Sequence, residues 1–259
     1  MNAQWSLLPA STPRTAFGKL LGAESRLAWR QPVGLAFGLG LPVLLLVIFG
    51  SIPSFGKPSA GLGGQTPFNV YIPILIAFVI AGLGFLSLPG ALASYRELGI
   101  LRRLSTTPLP PPWVLGAQLV INVAIAAAAV IILLVVGITA FGAATPRNPA
   151  AMVLAILITM AAMFAIGLWI ASFARTARIG SLIGAAAFYP LMFFAGLWVP
   201  RAAMPAVLRD ISNYTPLGAA VEAIQQAIQQ GTVSWVALLV MAGYAVVFAA
   251  LAIRFFRWE

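Results

Sequence analysis

Six long apolar runs constrain this chain more than any other feature of its sequence. They cover residues 33–50, 71–94, 113–141, 150–174, 179–199 and 232–255. A helix needs about 20 mostly apolar residues to cross roughly 30 Å of hydrocarbon. Because backbone polar groups in lipid must be satisfied within the segment, runs of this length predict helices. We expect an all-α polytopic membrane protein with six transmembrane helices, in one domain with an N-terminal segment over residues 1–32 and a six-span core over residues 33–259.

The composition excludes several function classes. Hydrophobic residues make up 61% of the chain and charged residues 8%, which leaves too little polar surface for a soluble domain of 259 residues. The chain contains no Cys and no His, so disulfides and the usual thiolate or imidazole metal sites are excluded. The net charge of +10 does not indicate nucleic-acid binding, because the basic residues are spread between the apolar runs.

The positions of Lys and Arg predict the orientation. Eleven of the 15 lie in the two terminal segments and in the second and fourth connections, and the other four are Lys57, Arg147, Arg201 and Arg209. Basic residues favour the cytoplasmic side of a membrane. We therefore expect a multi-pass protein of the cell (inner) membrane with both termini in the cytoplasm.

The spans contain no group that could supply energy or chemistry. None of the six runs has an Asp, Glu, Lys, Arg or His in its interior, whereas ion-driven transporters and intramembrane enzymes place such groups within the membrane. No segment has the G-x-x-x-x-G-K-[ST] spacing of a phosphate-binding loop. If the chain moves a cargo with ATP, a separate subunit must bind the nucleotide.

The second connection carries a charged segment, YRELGILRRLSTTPLPPPWVLGAQ, at residues 95–118. Residues 95–104 are predicted to form about three turns of helix, which the following prolines cannot continue. Charge alone leaves two alternatives open. The arginines could anchor the chain to lipid phosphates, or the segment could be a surface that another protein binds.

This segment resembles the coupling segment of the permease subunits of type-2 ABC exporters, a family that includes daunorubicin-type drug and lipid exporters. The family pattern is E-R-E-x-G-T-L-x-x-L-x-x-T-P. This chain matches it at Arg96, Glu97, Gly99, Leu101, Leu104, Thr107 and Pro108. It departs from the pattern at Tyr95, where Glu is usual, and at Ile100, where Thr is common. A second resemblance lies at residues 193–230, FFAGLWVPRAAMPAVLRDISNYTPLGAAVEAIQQAIQQ.

The resemblance implies a dimer of permease chains, identical or related, in contact with membrane lipids and with two cytoplasmic ABC ATPase subunits that bind ATP and Mg. It implies no catalysis and no cofactor in this chain, and a coupling helix seated on each ATPase. Carried onto this sequence, the coupling residues are Tyr95, Arg96, Glu97, Leu98, Leu101, Arg102, Arg103 and Leu104. An uncharged path suits an amphipathic drug-like or lipid-linked cargo. The alternative is a non-transporting membrane assembly or immunity protein on a similar helical scaffold.

The N-terminal segment predicts an amphipathic helix at the membrane interface. Over residues 17–28 the apolar side chains group on one side, with Arg26 and Arg30 on the other. Glu24 falls inside the apolar arc, where a carboxylate in contact with lipid is unfavourable. It is expected to face a protein group such as an arginine of the ATPase or of the coupling segment, or else to tilt towards the headgroups.

The last polar connection and several span residues complete the predictions. Residues 204–210 and 217–230 are expected to form two short helices that re-enter the outer leaflet before the last span. Gly34-x-x-x-Gly38 and Gly180-x-x-x-Gly184 could serve dimer contact or internal packing. Candidate substrate-path residues, each with helix packing as the alternative, are Phe78, Phe85, Gln118, Asn122, Phe188, Tyr189 and Phe193.

Overall fold

A computed structural model describes residues 13–30, 36–62, 64–99 and 112–255 of the chain. The regular elements within these ranges are all helical. We number the α-helices α1 (Pro13–Arg30), α2 (Leu41–Gly50), α3 (Pro67–Gly82), α4 (Leu88–Glu97), α5 (Pro112–Phe141), α6 (Pro149–Phe173), α7 (Ala177–Ala195), α8 (Ala206–Tyr214), α9 (Pro216–Gln229) and α10 (Trp235–Phe255). π-Helical turns at Ala36–Gly40 and Leu83–Ser87 precede α2 and α4.

The apolar runs are helical, and five stretches are long and apolar enough to cross a membrane. They are Pro67–Glu97, Trp113–Phe141, Pro149–Phe173, Ala177–Ala195 and Trp235–Phe255. The stretch Gly38–Gly50 is a shorter apolar helix, and residues 31–35 lie outside the described ranges. The prediction of an all-α polytopic membrane protein is confirmed. The second span, formed by α3, its π turn and α4, is longer than predicted because it begins at Pro67 and continues to Glu97.

The second span lies at the centre of the bundle. Its most apolar stretch is 78% buried inside the chain, compared with 22% for α7 and for α10. It packs against α5, α6, α7 and α9, and Leu75, Ile80 and Leu88 are fully buried in it. In contrast, α7 and α10 turn apolar side chains outward, among them Leu182 and Ile253. These two helices therefore have free apolar faces for lipid or for another membrane chain.

A proline lies beside one of the closest helix contacts in the described part of the bundle. Pro89 has no N–H, so the carbonyl of Phe85 loses its regular helical partner, and the π-helical turn ends just before this proline. The freed carbonyl faces α7, where a Cβ added to Gly184 would lie 1.8 Å from the Phe85 oxygen. A Cβ on Gly180 would lie 2.8 Å from the Pro89 oxygen. These two glycines therefore serve internal packing, one of the two uses that the sequence left open.

The two short helices predicted before the last span are present as α8 and α9. Thr215 caps α9, because its Oγ1 accepts a hydrogen bond from the N–H of Gly218 at 3.1 Å. α9 is buried among α3, α6, α7 and α10, whereas α8 exposes Val207, Ile211 and Tyr214. The α8–α9 hairpin thus has one helix inside the bundle and one on its surface. Re-entry into the outer leaflet stays a prediction.

Candidate functional site

The α4 helix ends where the coupling motif begins, and this corrects the predicted helix over residues 95–104. Tyr95, Arg96 and Glu97 form the last turn of α4. Leu98 is the C-cap, and Gly99 follows with φ +65°, a left-handed conformation that glycine adopts without strain and that ends helices. The remaining coupling residues, Leu101, Arg102, Arg103 and Leu104, lie outside the described ranges.

Tyr95 lies in a buried polar cluster that joins three helices. Its hydroxyl donates a hydrogen bond to Glu24 Oε2 of α1 at 2.5 Å. The amide of Gln118, on α5, donates to the same carboxylate oxygen at 2.8 Å and to the Tyr95 hydroxyl at 2.8 Å. Hydrogen bonds to a carboxylate are stronger than those between neutral groups. We call Glu24, Tyr95 and Gln118 the three-helix cluster.

The apolar face of α1 positions Glu24 in this cluster. α1 packs along α5, and the rings of Phe17 and Trp113 meet edge to face with their centroids 5.7 Å apart. Glu24 thus has protein partners, but they are a tyrosine and an amide where the sequence suggested an arginine. Arg26 is exposed on α1, and the side chain of Arg30 is outside the described part of the chain.

The next two residues of α4 contact the corner between α6 and α7. Arg96 Nη1 donates hydrogen bonds to the carbonyl oxygens of Ala171 at 3.1 Å and Ala174 at 2.6 Å, at the end of α6. The N–H of Ala177, the first residue of α7, donates to Glu97 Oε2 at 3.0 Å. Three consecutive residues of α4 therefore hold three separate parts of the bundle, and the described contacts of Arg96 and Glu97 are within the chain.

The candidate path phenylalanines are largely packed against their own chain. Phe85 and Phe188 are fully buried and Phe78 nearly so. The rings of Phe78 and Phe188 meet edge to face at 5.4 Å. Tyr189 is the exposed member of the set at 56%, and Phe193 is half-buried. Among the candidate path aromatics, Tyr189 is therefore the one best placed to meet a group outside this chain.

The two candidate amides lie one turn apart inside α5. Asn122 Nδ2 donates to the backbone oxygen of Gln118 at 2.8 Å. Asn122 is 2% exposed, and its Oδ1 has no hydrogen-bond partner among the described residues. Gln118 is committed to the three-helix cluster. A substrate-path role for either amide stays a prediction.

The sequence analysis missed a second charged cluster. It lies at the other end of the second span, near the start of α3. Arg201 Nη1 contacts Glu222 Oε2 at 2.7 Å and the Gly218 oxygen at 3.3 Å, and its Nη2 donates to Asn213 Oδ1. The Arg201 side chain is 11% exposed and that of Glu222 33%. We call these residues the hairpin cluster, because Asn213 and Glu222 belong to α8 and α9. Arg201 also borders a cavity of about 240 Å³, which Gln65 and Gln225 line together with apolar side chains.

One signal in the sequence could have found the hairpin cluster. Glu222 is one of only five acidic residues in the chain and the one charged residue of α9, whose other side chains are apolar or are the amides of three glutamines. A carboxylate in such a helix requires a charged or hydrogen-bonding partner when it is even partly buried. Arg201 was interpreted only as a residue that sets orientation, since nothing in its spacing links it to Glu222.

The model of a protein family described as ABC-2 type transporter matches residues 15–229. The matched range contains both charged clusters and every helix from most of α1 to the end of α9. No curated protein matches the chain.

Proposed function

Because the chain belongs to the ABC-2 type transporter family and is thus a permease subunit of an ABC transporter, we propose that it works in an exporter that moves amphipathic drug-like or lipid-linked cargo out of the cytoplasm or the inner leaflet. The proposed complex contains two permease chains and two ATPase subunits that bind ATP and Mg. We place it in the cell (inner) membrane with both termini in the cytoplasm. The permease contributes the path and no catalysis.

The observation that carries this proposal is the position of charge in the spans. α5 and α6 contain no charged residue, and the others carry charge only in a terminal turn, at Arg96, Glu97, Arg178 and Arg254. A path without charged rings or relays does not suit ion coupling or ion selection. It suits a cargo with a large apolar part and a transport cycle that receives its energy from outside the bundle.

Two surfaces support the proposed partners. Leu98 is 65% exposed directly after α4. Together with Leu101, Arg102, Arg103 and Leu104, which lie outside the described ranges, it would form the surface that binds the ATPase. The outward apolar faces of α7 and α10 would meet the second permease chain and lipid.

Transport into inside-out vesicles tests the proposal. We expect ATP-dependent accumulation of a fluorescent amphipathic dye, or flipping of a short-chain fluorescent phospholipid, only when the permease and its ATPase are both present. An ATPase inactivated in its phosphate-binding loop is the matched control. Purified permease alone should hydrolyse no ATP. Dye movement in the opposite direction, or hydrolysis by rigorously ATPase-free permease, would contradict the proposal.

A further inference from the structure

The corner between α6 and α7 presents two helix ends of opposite polarity within a few residues. α6 ends at Phe173 and α7 begins at Ala177. The last carbonyl groups of a helix carry partial negative charge and the first N–H groups carry partial positive charge. Thr176 caps one of these N–H groups, because its Oγ1 accepts from the N–H of Ile179 at 3.3 Å. The N–H of Ala177 and the carbonyls of Ala171 and Ala174 lie outside that cap.

Arg96 and Glu97 complement both helix ends with the matching charge. The Arg96 guanidinium binds the carbonyls that end α6, and the Glu97 carboxylate binds the N–H that begins α7. A cation at a helix C-terminus and an anion at a helix N-terminus are each stabilising. Reversal of the two residues would place each charge at the wrong helix end. The order Arg-Glu therefore fits this corner.

The same turn of α4 divides into an inward and an outward part. Tyr95 and Arg96 are directed into the chain, and Glu97, although exposed to solvent, has its carboxylate on Ala177. Leu98 has 65% of its side chain exposed. Gly99, with φ +65°, ends the helix. Among the described residues, the side chains of residues 95–97 bind other helices of the chain, and Leu98 is the first exposed apolar side chain after them.

We propose that Arg96 and Glu97 are positioning residues: they clasp the α6–α7 corner and pass motion of the segment after Leu98 to the fourth and fifth spans. They differ in this from the contact charges for an ATPase that the sequence suggested. The clasp itself is a property of the permease alone, whereas its part in transport rests on the proposed function. Of the two contributions of Glu97, we expect that of the acceptor for the Ala177 N–H to be larger than that of the negative charge, because a charge exposed to solvent at a helix end is screened.

The test distinguishes the hydrogen-bond acceptor of Glu97 from its negative charge. Glu97→Gln keeps a side-chain oxygen of the same reach and loses the charge, whereas Glu97→Ala loses both. Hydrogen exchange is measured at the first turn of α7 in purified, ATPase-free protein. Because loss of a side-chain cap costs about 0.5–2 kcal/mol, we expect roughly tenfold faster exchange in Glu97→Ala and a much smaller change in Glu97→Gln. Leu98→Ala is the adjacent control and should leave this exchange unchanged.

The second readout uses the complex with its ATPase. Glu97→Ala should still co-purify with the ATPase, while the dye transported per ATP hydrolysed falls by roughly threefold or more. Leu98→Ala should instead weaken co-purification. Unchanged exchange in Glu97→Ala would overturn the clasp. Equal loss of ATPase binding in Glu97→Gln and Glu97→Ala would make Glu97 a contact charge and overturn its positioning role. If the wild-type chain binds no ATPase, the proposed function fails, but the exchange result still decides the clasp.

Discussion

The two charged regions of this chain use similar chemistry over very different sequence distances. In the hairpin cluster, Arg201 contacts residues 12, 17 and 21 positions away. At the end of α4, the contacts of Tyr95, Arg96 and Glu97 with α1, α6 and α7 join residues 71 to 80 positions apart. The contacts of the hairpin cluster lie within residues 201–222. The contacts at the end of α4 connect helices that are far apart in the sequence.

This difference predicts different consequences when each region is disrupted. A short-range cluster fixes the shape of one hairpin, and its loss should lower the stability of that hairpin. The contacts of Tyr95, Arg96 and Glu97, which we call the α4 joint, fix distant helices relative to one another. Loss of the α4 joint should free a helix end while the bundle core remains packed. No described side-chain hydrogen bond links the hairpin cluster to the contacts of Tyr95, Arg96 and Glu97. Distant independent sites are expected to act additively.

The largest expected effect concerns sidedness, because the comparison requires the two regions to face opposite sides of the membrane. Single cysteines replacing Lys57 or Arg209 should react with an impermeant maleimide on intact cells. Cysteines replacing Arg103 or Arg175 should react only after permeabilisation. The chain has no native cysteine to interfere. Labelling of positions 175 and 209 from the same side would show that the two regions do not face opposite sides of the membrane. It would also contradict the predicted orientation.

Arg201→Ala should produce the next largest effect. It leaves the Glu222 carboxylate and the Asn213 amide without their guanidinium partner. Because the pair is largely buried on the arginine side, we expect a loss of about 2–3 kcal/mol in the free energy of unfolding. Thermal unfolding in detergent, followed by tryptophan fluorescence, measures this loss.

Arg209→Ala is the matched control for the hairpin cluster, since it removes the same charge from an exposed position on α8. It should change stability little, because exposed charges contribute little. Hydrogen exchange at the first turn of α7 should be the same in both variants. Equal unfolding temperatures for Arg201→Ala and Arg209→Ala would show that the hairpin cluster does not stabilise the hairpin.

The sequence predicted the elements whose signal is local. Apolar runs predicted the spans because each helix must satisfy its own backbone in lipid. Pro205 and Pro216 predicted the starts of α8 and α9 to within a few residues, because proline cannot continue a preceding helix but fits at the start of a new one. The amphipathic pattern over residues 17–28 likewise predicted α1.

The contacts between these elements were harder to predict. Glu24 in an apolar arc indicated a protein partner, but nothing local identifies Tyr95 as that partner 71 residues away. Glu97 binds a backbone N–H, which leaves no trace in the side chain at position 177. The charges of Arg96 and Glu97 were interpreted as ATPase contacts, whereas their described contacts are with the end of α6 and the start of α7. The sequence alone does not distinguish a charge that binds another protein from one that binds its own chain. The Glu97 variants described above decide whether this residue also contacts the ATPase.

The smallest predicted effect tests the α4 joint by removing one oxygen atom. Tyr95→Phe keeps the buried ring and removes the hydroxyl that donates to Glu24 and accepts from Gln118. Gln118 still donates to the carboxylate, so α1 should be loosened and not released. We expect a local cost of about 1–2 kcal/mol, measured as faster tryptic cleavage after Lys19 and Arg26 in opened vesicles.

Tyr71→Phe is the control because Tyr71 lies in the same span and its described contacts are ring contacts, with Phe49 at 4.9 Å and Phe55 at 5.8 Å. It loses a hydroxyl but no described hydrogen bond to α1, so cleavage of α1 should stay at the wild-type rate.

Tyr95→Phe should also lower the unfolding temperature less than Arg201→Ala does, because α1 packs on the outside of α5 and the core beneath it is unchanged. Equal cleavage rates for the two tyrosine variants would mean that apolar packing such as that of Phe17 on Trp113 holds α1 by itself. In that case only the contacts of Arg96 and Glu97 with the α6–α7 corner would fix helices at the end of α4.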